Sequence, residues 1–255
     1  MKYQINEFIS RGGRDYQEDS YLIIEGFYDG KPWVLAAIAD GMGGHINGAA
    51  ASAAAIEAIR EASLKIPGCL WESEWQLAIE ATISQAFQDA HKSISLAGGY
   101  GDNRGTTMVA LFAYSGEAWF FNAGDSFGFT LGPNWDVETV TVPHESGWGA
   151  ITNCLGGFAT RDWGKPFGPP QLITVDVFAL DITPGMTLVL ASDGILDPKK
   201  CLIPQPDYDE NLAFPAEADK AENLAEAIGK RGMTLYDVTG RTCDNTTVIT
   251  IKVIE

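Results

Sequence analysis

Four carboxylates in this chain stand where an apolar run meets a turn. Asp40 closes Trp33-Val34-Leu35-Ala36-Ala37-Ile38-Ala39 and opens Gly41-Met42-Gly43-Gly44-His45. Asp193 follows the apolar residues 186–191 in Ser192-Asp193-Gly194, Asp125 sits in Gly124-Asp125-Ser126, and Asp244-Asn245 precedes the run 246–254. Taken singly, each reads as well as a turn residue, because Asp beside Gly or Asn is ordinary turn chemistry. A carboxylate at the mouth of a buried strand is nevertheless costly unless something positive sits against it. Taken together, the four would bring several strand ends to one spot. Oxygen-only ligands of that kind select hard cations such as Mg²⁺ or Mn²⁺. The three histidines and four cysteines are scattered, with no C-x-x-C pair, and offer no zinc set.

The elements that must position these acids can be read from periodicity. Seven apolar residues before Asp40 predict a buried strand, and Asp29-Gly30 predicts a hairpin leading into it. Short strands are expected on either side of Gly12-Gly13. A helix is expected over 48–64. A second opens with Ser73 and Gln76 in a capping-box arrangement, and its stripe of Trp75, Ile79, Ile83, Ala86, Phe87, Ala90 and Ile94 fits a 3.6-residue period. Beyond Gly98-Gly99-Tyr100-Gly101 the pattern turns to strands at 108–113, 118–122, 127–131 and 137–142. Residues 143–170, rich in Gly and Pro, read as loop. Strands are expected again at 172–178 and 186–191, a third helix over 219–230 ending before Gly232, and a last strand over 246–254. The order β–αα–β, with no repeats or linkers, predicts one α+β domain over residues 1–255.

Composition narrows the function. The chain has 255 residues, 45% of them hydrophobic and 20% charged, an ordinary globular balance. Its 17 Lys and Arg against 34 Asp and Glu give a formal charge of −17, which argues against nucleic acid and against anionic lipid. Four scattered thiols suit a reducing compartment. The start Met1-Lys2-Tyr3-Gln4-Ile5-Asn6 lacks the apolar stretch of a signal peptide, and no run is long enough to span a membrane. The expectation is a cytoplasmic monomer without membrane attachment.

Seven short motifs then occur in a recognisable order: Arg14-Asp15-Tyr16-Gln17-Glu18-Asp19-Ser20, Asp40-Gly41-Met42-Gly43-Gly44-His45, Gly105-Thr106-Thr107, Gly124-Asp125-Ser126, Leu155-Gly156-Gly157, Ser192-Asp193-Gly194 and Asp244-Asn245. Each is weak alone. In this order, over nearly the whole chain, they resemble the PP2C (PPM) family of metal-dependent serine/threonine protein phosphatases, bacterial members in particular. The resemblance implies a β-sandwich of two antiparallel sheets flanked by helix pairs, with a binuclear Mn²⁺ or Mg²⁺ site at one end. It implies that Asp40 bridges two metals, that the Gly41 carbonyl joins the first, and that Asp193 and Asp244 hold the second. Glu18 and Asp19 would hold water around them, and Arg14 would grip the substrate phosphate with its planar fork. Asp125, with Asp193 and Asp197, would hold a third ion. Paired cations lower the pKa of water enough for in-line attack on phosphorus, so no Ser or Cys nucleophile is needed.

Plainer readings stand beside these. Arg14 could simply pair with Glu18 at the surface. Thr106 and Thr107 suit strand positions, His45 reads as a partly exposed histidine at a helix entry, and His91 and His144 have no ligand partner at sensible spacing. The sequence also departs from the family: Gln17 replaces the usual Asn, Phe127 stands where Arg commonly follows Gly-Asp-Ser, and only 145–154 separates the preceding strand from Leu155-Gly156-Gly157. The flap subdomain is therefore expected to be shortened or absent, with the insertion 199–215 as a replacement wall. The activity implied is hydrolysis of phosphoserine and phosphothreonine in proteins phosphorylated by a serine/threonine kinase. The alternatives are a non-catalytic phosphoprotein-binding module on the same scaffold and a phosphatase dedicated to one regulatory partner.

Overall fold

The apolar run before Asp40 is the middle of the molecule. In a computed structural model, which describes residues 1–42, 47–97, 104–156, 172–195, 202, 221–239 and 243–255, it forms the strand β3. The order is β1 (Lys2–Ser10), β2 (Asp19–Tyr28), β3 (Lys31–Asp40), α1 (Gly48–Ser63), a one-turn α2 (Ile66–Cys69) and α3 (Trp75–Ala97). Next come β4 (Gly105–Thr106), β5 (Met108–Tyr114), β6 (Glu117–Ala123), β7 (Phe127–Leu131), β8 (Val137–Thr139) and β9 (Leu155–Gly156). After these follow β10 (Asp176–Asp181), β11 (Thr187–Ala191), a 3-10 turn (Asp193–Ile195), α4 (Leu224–Thr239) and β12 (Thr246–Ile254).

Two antiparallel sheets, ordered β10-β6-β5-β3-β2 and β1-β12-β11-β7-β8, pack face to face, and β4 pairs with β9 apart from them. Successive side chains of a strand point to opposite faces, and β3 is buried on both. Val34, Ala36 and Ile38 meet Leu188, Leu190, Ile249 and Ile251 between the sheets, while Leu35, Ala37 and Ala39 face Ile59, Ile83 and Phe87 of α1 and α3. On the outer face of the second sheet, Phe129, Val189 and Val248 are covered by Ala225 and Ile228 of α4 and by Leu202. The result is a helix–sheet–sheet–helix stack. No helix among the described residues is long and apolar enough to cross a membrane.

Several element bounds differ from the sequence expectation, each for a local reason. The helix α3 begins at Trp75, and Glu74 O accepts the first helical bond from Ala78 N, so Ser73 lies outside the capping position. β8 stops at Thr139 because the N–H groups of Val140 and Thr141 both go to Gly128 O, which bulges the strand. β10 starts at Asp176, four residues later than the pattern suggests. Gln88 of α3 occupies the backbone ahead of it, donating to Ile173 O at 2.9 Å and accepting from Ile173 N at 3.2 Å. The helix α4 runs through Gly232 instead of ending before it: a Cβ there would stand 2.7 Å from Ile195 Cα, so this glycine serves close packing on the 3-10 turn. The stretch 140–154 carries an isolated bridge, Glu145↔Ile151, and no helix. Residues 199–215, apart from Leu202, lie outside the described residues, as do residues 43–46, with His45, and Asp197.

Candidate active site

Strand parity brings the acids together. Ile38 faces the inter-sheet core, so Asp40, two residues on, points the same way at the strand's end. Tyr21 and Ile23 do likewise in β2, which puts Asp19 on the same face, directly opposite Asp40 in the register. Ser192 continues the inward row of Leu188 and Leu190, and Thr247 that of Ile249. One step beyond the last apolar layer, every inward position named here is polar.

Asp19 is only 5% exposed. Its Oδ2 accepts from Thr247 Oγ1 at 2.6 Å and Ser192 Oγ at 3.0 Å, while Oδ1 is buried with no hydrogen-bond partner. Burial pushes its carboxyl up to about 6, against the pull of the two hydroxyl bonds. Asp193 opens the 3-10 turn and is pushed up to about 7, first by burial and then by the charges of Asp125 and Asp244. Asp40 is raised well above the ordinary carboxylate value by burial and by Asp19, Asp193, Asp125 and Asp244. Asp125 is raised by burial and by Glu145 and Asp244. The acids at the strand ends therefore feel one another. The Asp40 carboxyl is in hydrogen-bond contact with those of Asp19 and Asp193, although no group of three or more acidic, histidine or cysteine side chains among the described residues is arranged to hold a metal ion as it stands. Asp244 instead turns its Oδ2 to Arg14 Nη2 at 2.5 Å.

The backbone around Asp40 is held tightly. Its carbonyl accepts from Thr106 Oγ1 at 2.7 Å and Thr107 N at 2.9 Å, and Gly41 N donates to Glu18 O. A Cβ on Gly41 would lie 2.5 Å from Gly48 O and 2.6 Å from Glu18 O, so no larger residue fits between the start of α1 and the end of the 11–18 loop. Thr106 and Thr107 fill strand-like positions, as their branching suggests, and Thr107 Oγ1 also bonds Ser126 Oγ at 2.8 Å.

Two groups stand out that sequence reasoning left without a role. Asn245, 3% exposed, accepts from Glu18 N through Oδ1 and donates through Nδ2 to Arg11 O and Tyr16 O, all within 3.0 Å. One amide thus fastens the loop carrying Arg14 and Glu18 to the start of β12. Its pairing with Asp244 in sequence was the one visible signal. His144, for which the spacing offered no metal-ligand partner, sits between Gly124 N, which donates to Nδ1 at 3.1 Å, and Asp176, whose Oδ2 is 2.9 Å from Nε2. Because Nδ1 accepts, the proton belongs on Nε2 and is donated to Asp176. His91 is buried in α3 and accepts from Gly156 N. Arg14 meets Asp244 and not Glu18, and the Glu18 side chain lies against Gly48.

Buried, mutually repelling carboxylates with an orphaned oxygen suit divalent cations. Residues 16–229 match the family model described as Protein phosphatase 2C. The chain belongs to the protein phosphatase 2C family. Among its relatives is the serine/threonine phosphatase stp of Listeria monocytogenes serotype 4b (strain F2365), 26% identical over 212 residues that cover 78% of each chain. The same protein of Listeria innocua matches equally, at 26% over 78% of each chain. Among solved structures, the Mycobacterium tuberculosis serine/threonine phosphatase PstP/Ppp superposes with a TM-score of 0.67 over 99% of both chains at 19% identity. The catalytic domain of PstP in complex with two manganese ions gives 0.67 over 99% of both at 20% identity. The fold of this 2C-family phosphatase is thus the sandwich that the motifs implied.

Proposed function

We propose that this phosphatase removes phosphate from phosphoserine and phosphothreonine in proteins, with Mn²⁺ or Mg²⁺ held by Asp40, the Gly41 carbonyl, Asp193 and Asp244. Asp125, with Asp193 and Asp197, is assigned to a third ion. The observation that carries this reading is the convergence of Asp19, Asp40, Asp193, Asp125 and Asp244 at one end of the sandwich, where burial and like charge raise the carboxyls of Asp19, Asp40, Asp125 and Asp193. The stp relatives, named as serine/threonine phosphatases, and the PstP complex with two manganese ions support the same assignment.

Bound there, divalent cations supply a water acidified toward neutral pH and positive charge for the phosphoryl oxygens. The chain's own residues do the rest. Ser192 and Thr247 fix one oxygen of Asp19 and leave the other facing Asp40's side of the site. Thr106 and Thr107 hold the Asp40 carbonyl, so its carboxylate stays at the end of a rigid strand. Arg14, with its side chain 44% exposed, presents its guanidinium at the mouth, where a phosphate can take two of its N–H groups in place of Asp244. Asn245 keeps that arginine and Glu18 on the site side of β12.

The purified protein is expected to hydrolyse an aryl phosphate with Mn²⁺ and to lose that activity with chelator. Turnover that survives complete removal of divalent ions contradicts the reading.

A further inference from the structure

The segment after β8 ends in a small hairpin that stands beside Asp125. Its base is fixed on both sides. His144 N donates to Gly124 O at 2.8 Å, and Gly124 N donates back to His144 Nδ1. On the returning side, Thr152 N donates to His144 O at 2.8 Å, and Asn153 Nδ2 reaches both His144 Nδ1 and Thr174 O. The hairpin is closed by Ser146 N to Ala150 O, by Gly149 N to Ser146 O and by the bridge Glu145↔Ile151. Gly149 takes φ 74°, which a tight reversal requires. At the tip Trp148 is 97% exposed.

A tryptophan offers more area for burial than any other side chain, and the clamped hairpin holds this one away from the core. It stands four positions after His144, so its Cα lies at most about 14 Å from that of His144. That distance corresponds to roughly four residues of an extended peptide leading away from the site. The chemistry of the surroundings is one-sided. Residues 145–156 contain Glu145 and no lysine or arginine, and Glu145 is close enough to act on Asp125. The whole chain carries −17. An exposed indole three positions along the chain from Glu145, on a strongly acidic protein, suits a cationic side chain.

We propose that this hairpin is a substrate-recognition element, and that Trp148 contacts a lysine or arginine lying within about four residues of the phosphorylated serine or threonine. The proposal rests on the phosphatase reading above. The partner is thus a phosphoprotein segment of basic character, seated along the Asp125 side of the site.

The test compares Trp148→Ala and Trp148→Phe with the wild type on three substrates. These are p-nitrophenyl phosphate, a phosphothreonine peptide with lysines flanking the phosphoresidue, and the same peptide with glutamates in their place. The wild type is expected to prefer the lysine peptide. Trp148→Ala is expected to lower kcat/KM for it about fivefold, mainly through KM, as loss of a cation–π contact implies. Turnover of the glutamate peptide and of p-nitrophenyl phosphate stays unchanged, and Trp148→Phe recovers most of the preference. An unchanged lysine-to-glutamate ratio in Trp148→Ala overturns the proposal, as does an equal loss on all three substrates. A wild type that hydrolyses none of them contradicts the phosphatase reading itself, a different failure from a phosphatase indifferent to charge beside the phosphate.

Discussion

Leu190 and Asp193 are three residues apart and obey opposite physics. Leu190 is 1% exposed between the two sheets, where burial of apolar surface holds the strands together. Asp193 begins the turn that follows, where burial first and then the charges of neighbouring carboxylates push its pKa up to about 7. The same contrast recurs along β3, from Ile38 to Asp40, and along β12, from Ile249 back to Thr247 and Asp244. Strand interiors supply stability, and the strand ends spend some of it to keep like charges together. Neutralisation, by protons or by a ligand of opposite charge, makes that arrangement favourable.

The contrast is broken most sharply by changing one side at a time. Asp193→Asn should lower Mn²⁺-dependent turnover by about a thousandfold, because it removes an anionic oxygen from the assigned ion site. In chelator it should melt no lower than the wild type, since it relieves repulsion. Leu190→Ala should do the reverse, costing about 2–5 kcal/mol of stability while the folded fraction keeps its turnover number. Paired melting curves and rate measurements on the two variants check both. Similar losses of activity and stability in Asp193→Asn would show that its role is structural.

A second variant sharpens the boundary between the regions. Asn245→Ala leaves the groups on Glu18, Arg11 and Tyr16 without their partner and should cost about 1–3 kcal/mol. Because the loop that carries Arg14 is then untethered, kcat should fall by about tenfold to a hundredfold. Stopped assays alongside denaturant unfolding read the two effects separately, and an Asn245→Ala enzyme with wild-type kcat would remove the tether from the account.

The smallest effect is on pH. Asp19 and Asp193 have folded values of about 6 and about 7 against an ordinary 3.8, so the native state holds their protons more tightly than the unfolded chain. Stability from these groups is complete below the ordinary value and is lost as pH rises through about 6 to 7. In chelator the melting temperature should therefore fall by about 5 °C between pH 5 and pH 8. Saturating Mn²⁺, which favours the ionised carboxylates, should flatten that slope. A chelated protein that gains stability over the same range contradicts the sign.

Much of this was legible in the sequence because it rests on local patterns. The apolar run at 33–39, bounded by turn residues, reads as a buried strand, and the expected helix over 48–64 differs from α1 by one residue. Glycine beside Asp40, Asp125 and Asp193 marked the strand ends, and ordered motifs joined them into a family. What escaped depends on contacts between distant positions. The hold of Gln88 on Ile173, which delays β10, spans 85 residues, and the hold of Asn245 on Glu18 spans 227. Gly232 looked like a helix end because its sequence does not reveal that Ile195 lies against it. The pairing of His144 with Asp176 was hidden likewise, since a spacing of 32 residues carries no period.

The central claim is that acids from separate strand ends share divalent cations. Anomalous diffraction at the manganese edge, on crystals grown with Mn²⁺, tests it directly. The account predicts manganese peaks within bonding distance of Asp40, Asp193 and Asp244, with Asp244 turned away from Arg14. Manganese found only elsewhere, or Asp244 still paired with Arg14 and no peak beside Asp40, would contradict it.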